Sequence, residues 1–148
     1  MPIEVVDNNF TLLVMTPTGV PLYSARGLTQ SLTPCTDAKP TPLRTINGEM
    51  RFVGGSQMRK YDSVITCTDQ NAPPFSGLWP GDIVTVQCVA ELSYLTDTGS
   101  PERTVVRSRT VGAFTLYCPE IQFMVVDFNQ SFQEYAADHQ WQLTLTEK

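Results

Sequence analysis

The chain of 148 residues has the length of one domain; it is 41% hydrophobic and only 17% charged, with a net charge of −5 and an isoelectric point near 4.7. An acidic chain is a poor coat for nucleic acid, and no stretch approaches the ~18 consecutive apolar residues of a membrane helix. Threonine, serine and glutamine take the place of missing charges. Such a surface can be buried against a partner without desolvating ions, although a threonine-rich β domain has the same composition.

The opening residues, MPIEVVDNNF, lack the basic start and apolar core of a signal peptide, so synthesis and assembly in a cytoplasm are expected. Phe10 to Thr16 reads as a strand ended by Pro17-Thr18-Gly19, with Val20 to Ser24 as its return. Leu28, Gln30 and Leu32 suggest another extended piece. Three prolines between Pro34 and Pro42 forbid a helix or central strand there and predict an exposed loop or arm. Asn47-Gly48 between strand-like flanks (Leu43 to Val53) predicts a tight two-residue hairpin with positive φ at both turn positions. Gln57 to Thr68 follows as a strand with Tyr61, Ile65 and Cys67 on one face.

Asp69 to Gly81 is a second loop rich in proline and glycine, and it carries Phe75 and Trp79. Trp79 either caps the end of a core or sits on a subunit interface, where tryptophan is enriched. Asp82 to Tyr94 then alternates strictly: Val84, Val86, Cys88, Ala90, Leu92 and Tyr94 against Thr85, Gln87, Glu91 and Ser93. A period of two predicts one uninterrupted half-buried strand of roughly 40 Å. Thr96 to Glu102 reads as a turn, and Val105-Val106 and Val111 to Cys118 as strands, with Pro119 breaking the run. Ile121 to Phe128, apolar on both faces, predicts a central strand or one with a face in an interface. Ser131 to Asp138 has room for one helical turn, and His139 to Thr146 alternates as a closing strand.

These elements predict an all-β fold, an antiparallel β-sandwich or barrel with long loops and at most one short helix. Residues 1–20 read as an N-terminal strand or arm, and 21–148 as a single β domain.

The four cysteines, at 35, 67, 88 and 118, lack the paired spacing of a zinc or redox motif, and His139 is the single histidine. Cys67, Cys88 and Cys118 fall on core-type faces, which favours buried free thiols; a Cys67–Cys88 bridge is the alternative, and Cys35 is expected at the surface. No nucleophile elbow, phosphate loop or dinucleotide fingerprint occurs. Asp69-Gln70-Asn71 and Asp97-Thr98-Gly99 lack the ligand pattern of a calcium loop and are better explained as turns. The reading is therefore of no catalytic residue, no cofactor and no metal. Arg103, Arg107 and Arg109 form a local basic segment, a solvated face or an inter-subunit ion-pair surface rather than a phosphate site.

Three segments taken in order carry a resemblance: Tyr23-Ser24-Ala25-Arg26-Gly27-Leu28-Thr29-Gln30, then Arg44-Thr45-Ile46-Asn47-Gly48, then Phe75 to Leu92 with its Gly77-Leu78-Trp79-Pro80-Gly81. Over about residues 20–146 the chain resembles small virion structural proteins of tailed bacteriophages. The resemblance implies a non-enzymatic, β-rich subunit of tail, baseplate, neck or capsid surface. It would partner itself and other virion proteins, with no nucleic acid and no membrane, and be located in the virion after assembly in the host cytoplasm. Trp79, Phe75, Arg103, Arg107 and Arg109 are the candidate interface residues. Capsid decoration is one alternative. A glycan-binding module that stacks sugars on Trp79 or Tyr94 is another, and a small hydrolase a third.

Overall fold

A computed structural model describes residues 13–21, 23–35, 41–53 and 59–148. Among these residues there are ten strands and no helix: β1 (Val14–Thr16), β2 (Thr29–Pro34), β3 (Thr41–Arg44), β4 (Met50–Val53), β5 (Tyr61–Asp69), β6 (Ile83–Gln87), β7 (Leu92–Leu95), β8 (Thr104–Val111), β9 (Phe114–Gln133) and β10 (Asp138–Glu147). The all-β, antiparallel expectation holds. The main sheet runs β1-β6-β9-β10-β5-β2, with β7 and β8 joining β9, and β3-β4 is a separate hairpin. Residues 1–12, 22, 36–40 and 54–58 lie outside the description, and with them most of the expected arm and of the Pro34–Pro42 loop. Leu13 and Met15 are buried in the core, so the N-terminal segment from Leu13 onward belongs to the domain.

The sheet is organised around β9. At 20 residues it spans roughly 65 Å. One of its edges carries β8 and then β10; the other carries β7 and then β6. Alternation places Ile121, Phe123 and Val125 of β9 inside, together with Val84 and Val86, Ile65 and Cys67, and Trp141, Leu143 and Leu145. Curling brings the free side of β2 towards the β6–β7 junction, where the Gln30 side chain accepts hydrogen bonds from Val89 N and Ala90 N at 2.7 and 3.2 Å. At one end the loop after β5 folds inward. Phe75 sits 5.0 Å from the Phe128 ring and meets Trp141 edge-on at 5.5 Å, while Trp141 Nε1 donates to Ser24 O at 2.8 Å.

Pro119 does not break β9, as the sequence suggested; its neighbours give way instead. With no N–H to offer, it leaves a gap in the ladder on the β6–β7 side, to which its C=O also points. On the β8 side the register slips between Val105 and Arg107. On the other side the predicted continuous strand splits, β6 ending at Gln87 and β7 starting at Leu92, with Cys88 N still bonded to Pro119 O at 2.9 Å.

Three local readings change. Of Val20 to Ser24, the described residues form no return strand: Val20 and Pro21 are irregular and Tyr23 and Ser24 lie in a turn and bend, while Leu22 lies outside the described residues. The Asn47-Gly48 hairpin exists, but Thr45 N pairs with Glu49 O and Gly48 N with Thr45 O, leaving a three-residue loop in which Gly48, at φ 83°, takes the left-handed conformation and Asn47 does not. That is the type I turn with a following bulge glycine. Ser131 to Asp138 turns out to be the end of β9, a tight turn and the start of β10; what remains of the helical turn is one bond from Ala137 N to Gln133 O at 2.9 Å.

Candidate functional site

The five predicted interface residues do not converge. Phe75 is 4% exposed and belongs to the core, because the turn bonds Phe75 N to Pro73 O and Leu78 N to Phe75 O aim both side chains inward. The same turn throws Trp79 outward: it is 70% exposed, its N–H held by Asp82 Oδ2 at 2.9 Å, so it does not cap the core. Arg103 is committed within the fold. Its Nε lies 2.9 Å from Glu147 Oε1, its guanidinium donates to Glu147 Oε2 and Arg59 O, and it covers the Tyr61 ring. Arg107 and Arg109 are exposed on β8, Arg109 reaching Glu91 at 3.2 Å. Trp79 sits near Val125 and Arg109 opposite Leu116, positions about 30 Å apart along β9.

All four cysteines are free and buried. The Cys67–Cys88 bridge is not formed, because β9 and β10 separate β5 from β6 in the sheet. Cys35, expected outside, is also buried. Burial pushes the Cys88 thiol up to about 12, against a smaller opposing effect of Gln30. His139 is half-buried, its ring 5.6 Å from that of Phe132. Tyr94 is also half-buried and packs edge-on to Tyr117 at 5.8 Å rather than presenting a free face.

The capped end is latched by charge. Asp69, its side chain 3% exposed, accepts from Arg26 N at 2.9 Å, from the Arg26 guanidinium at 2.8 Å and from Gln70 N at 2.8 Å. Burial alone would raise its pKa, but these donors outweigh it and hold the carboxyl below its ordinary range. Among the described residues no group of three His, Cys, Asp or Glu side chains is placed to hold a metal, and no helix is long and apolar enough to cross a membrane.

Besides the β3–β4 hairpin (Leu43, Ile46, Met50), exposed apolar surface lies along β9 in two places that the sequence reading missed. Leu95, Phe114 and Val111 lie side by side across β7, β9 and β8, each about half exposed. Their positions beside the turn Gly112-Ala113 were the available signal. Further along, β9 runs past the end of β6, and among the described residues no strand pairs with this outer edge from Val126 to Gln133. Val126, Phe132 and Tyr135 are 48%, 76% and 99% exposed along it and at its tip. The edge carries no lysine, arginine or proline; a bulge at Val126 and the charge of Asp127 stand at its start, and Phe128 to Gln133 carries neither. Other outer edges of the main sheet are blunted: β8 by Arg107, Arg109 and a bulge, β2 by Pro34, and β1 and β7 by being three and four residues long.

No protein-family model, no curated protein and no solved structure matches the chain.

Proposed function

We propose that the protein is a non-enzymatic structural subunit of a tailed-phage virion, in tail or baseplate, that assembles with itself and with other virion proteins through strand edges and exposed sheet faces. The supporting observation is the contrast between edges. A strand edge that bears aromatic residues and lacks charge, proline or bulge is a template for pairing, and natural monomers blunt such edges. From Phe128 to Gln133, beyond the bulge at Val126 and the charge of Asp127, the outer edge of β9 has none of these guards and, among the described residues, no pairing strand. The apolar row Leu95–Phe114–Val111 supplies a second surface that association would cover.

The reading is tested by light scattering after size-exclusion chromatography, and by locating the chain in purified particles by mass spectrometry and electron microscopy. A defined oligomer is expected, and Val126→Lys with Phe132→Lys should return it to monomers without loss of folding. A monomer at all concentrations that is absent from particles would overturn the assignment.

A further inference from the structure

The outer face of β2, β5, β10 and β9 holds a shallow groove of about 540 Å³. Two rows of side chains cross it in register. In the first, Thr29 lies opposite Thr66, Thr66 opposite Gln142, and Gln142 opposite Asn129. In the second, Thr68 lies opposite Gln140, and Gln140 opposite Ser131. With strands ~4.8 Å apart, the four-strand row is roughly 14 Å long.

Every side chain in these rows is a neutral amide or hydroxyl, and none hydrogen-bonds to another described group of the protein. The rows on one side of the groove differ, while on the other side the adjacent row, Gln133 opposite Asp138, is also without side-chain hydrogen bonds and carries a carboxylate. On the first side Ser31 Oγ donates to Val64 O, Thr33 Oγ1 to Asp62 O, and Thr146 Oγ1 to Asp62 Oδ1, while Asp127 Oδ1 accepts from Phe128 N. Unbonded polar side chains thus run through the groove to Gln133 and Asp138 and become fewer towards Asp62. Amides and hydroxyls both donate and accept, so the array matches a ligand that does the same at many points. The groove holds no cation and is flanked by Asp127 and Asp138, which selects against phosphates and carboxylates, and its polarity selects against lipids. Gly27 leaves one end open, with nothing within 4 Å of where a Cβ would stand. The volume lies within the range of small-ligand sites.

We propose that this groove binds a neutral oligosaccharide through Gln140, Gln142, Asn129 and the threonine hydroxyls of β5. The site is distinct from Trp79 and Tyr94.

The test is an array of neutral and of sialylated or sulfated oligosaccharides probed with the full chain, followed by ligand-observed NMR on any hit. At least one neutral oligosaccharide should bind, with an affinity insensitive to salt. Gln140→Ala with Gln142→Ala should weaken it at least about tenfold, since each lost hydrogen bond contributes part of such a factor. Thr66→Val, which keeps the side-chain shape, should weaken it less, and Trp79→Ala should leave it unchanged. The proposal fails if only charged glycans or none bind, or if loss follows Trp79. It fails equally if the glutamine variants, folded as the parent, bind as the parent does, or if they dissolve an oligomer, which would make the face a contact with a second copy.

Discussion

Gln30 on β2 and Val89 beyond β6 are joined across the seam of the curled sheet, the Gln30 Oε1 accepting from Val89 N at 2.7 Å. The same oxygen takes Ala90 N at 3.2 Å, and its amide nitrogen donates to the fully buried Ser63 hydroxyl at 3.2 Å. One side chain therefore does at this point what a backbone ladder does elsewhere. Its donors exist because the strand is interrupted opposite Pro119 and Cys118.

Replacing Gln30 with alanine should leave those groups short of partners. The expected cost is about 1–3 kcal/mol, read as a lower midpoint in urea. An unchanged midpoint would show that the seam is held by packing alone.

Arg103 and Glu147 should behave as a structural pair. Their side chains are 19% and 10% exposed, and Tyr61 N also donates to Glu147 Oε2 at 2.9 Å. Arg103→Ala is expected to destabilise by about 1–3 kcal/mol, more than an exposed pair would. Arg107→Ala, on the open face of β8, should change thermal unfolding little.

Asp69 predicts a loss of stability in acid. Its folded pKa lies below the ordinary carboxylate value, so between the two values the unfolded chain binds more protons than the folded one. The contribution is complete above about pH 4 and fades as pH falls through the lower folded value. Asp69→Asn should flatten this part of the stability profile, measured by urea titration across acidic pH.

Cys88 predicts the opposite slope in alkali. Burial holds its thiol protonated to about 12, whereas in the unfolded chain it ionises near its ordinary ~8.5. The folded form binds more protons between those values, so stability should fall as pH rises through that window. At pH 8, iodoacetamide followed by peptide mapping should find Cys88 unmodified in the native protein and modified in denaturant; rapid native labelling would contradict its burial.

Legibility followed the range of the interaction that decides each feature. The strand cores at Ile65-Cys67, Val84-Val86 and Leu143-Leu145 were readable because alternation is a local property, and the Asn47-Gly48 hairpin because a turn is made by adjacent residues. The turn's type was not, since φ at Asn47 depends on the register of the strands it joins. Phe75 and Trp79 show the same boundary. Four residues apart in one loop, they read alike, yet the inward fold of that loop buries one and exposes the other.

By itself the amino-acid sequence determined an antiparallel β chain with free core thiols favoured, because side-chain polarity with a period of two selects the buried face of each strand. Tertiary structure decided which strands are neighbours. Pairing separates Cys67 from Cys88, ties Arg103 to Glu147, leaves the outer edge of β9 beyond Val126 without a partner strand among the described residues, and lines up threonine and glutamine from distant segments in one groove. Those outcomes rest on contacts between residues far apart in the chain, which no local pattern encodes.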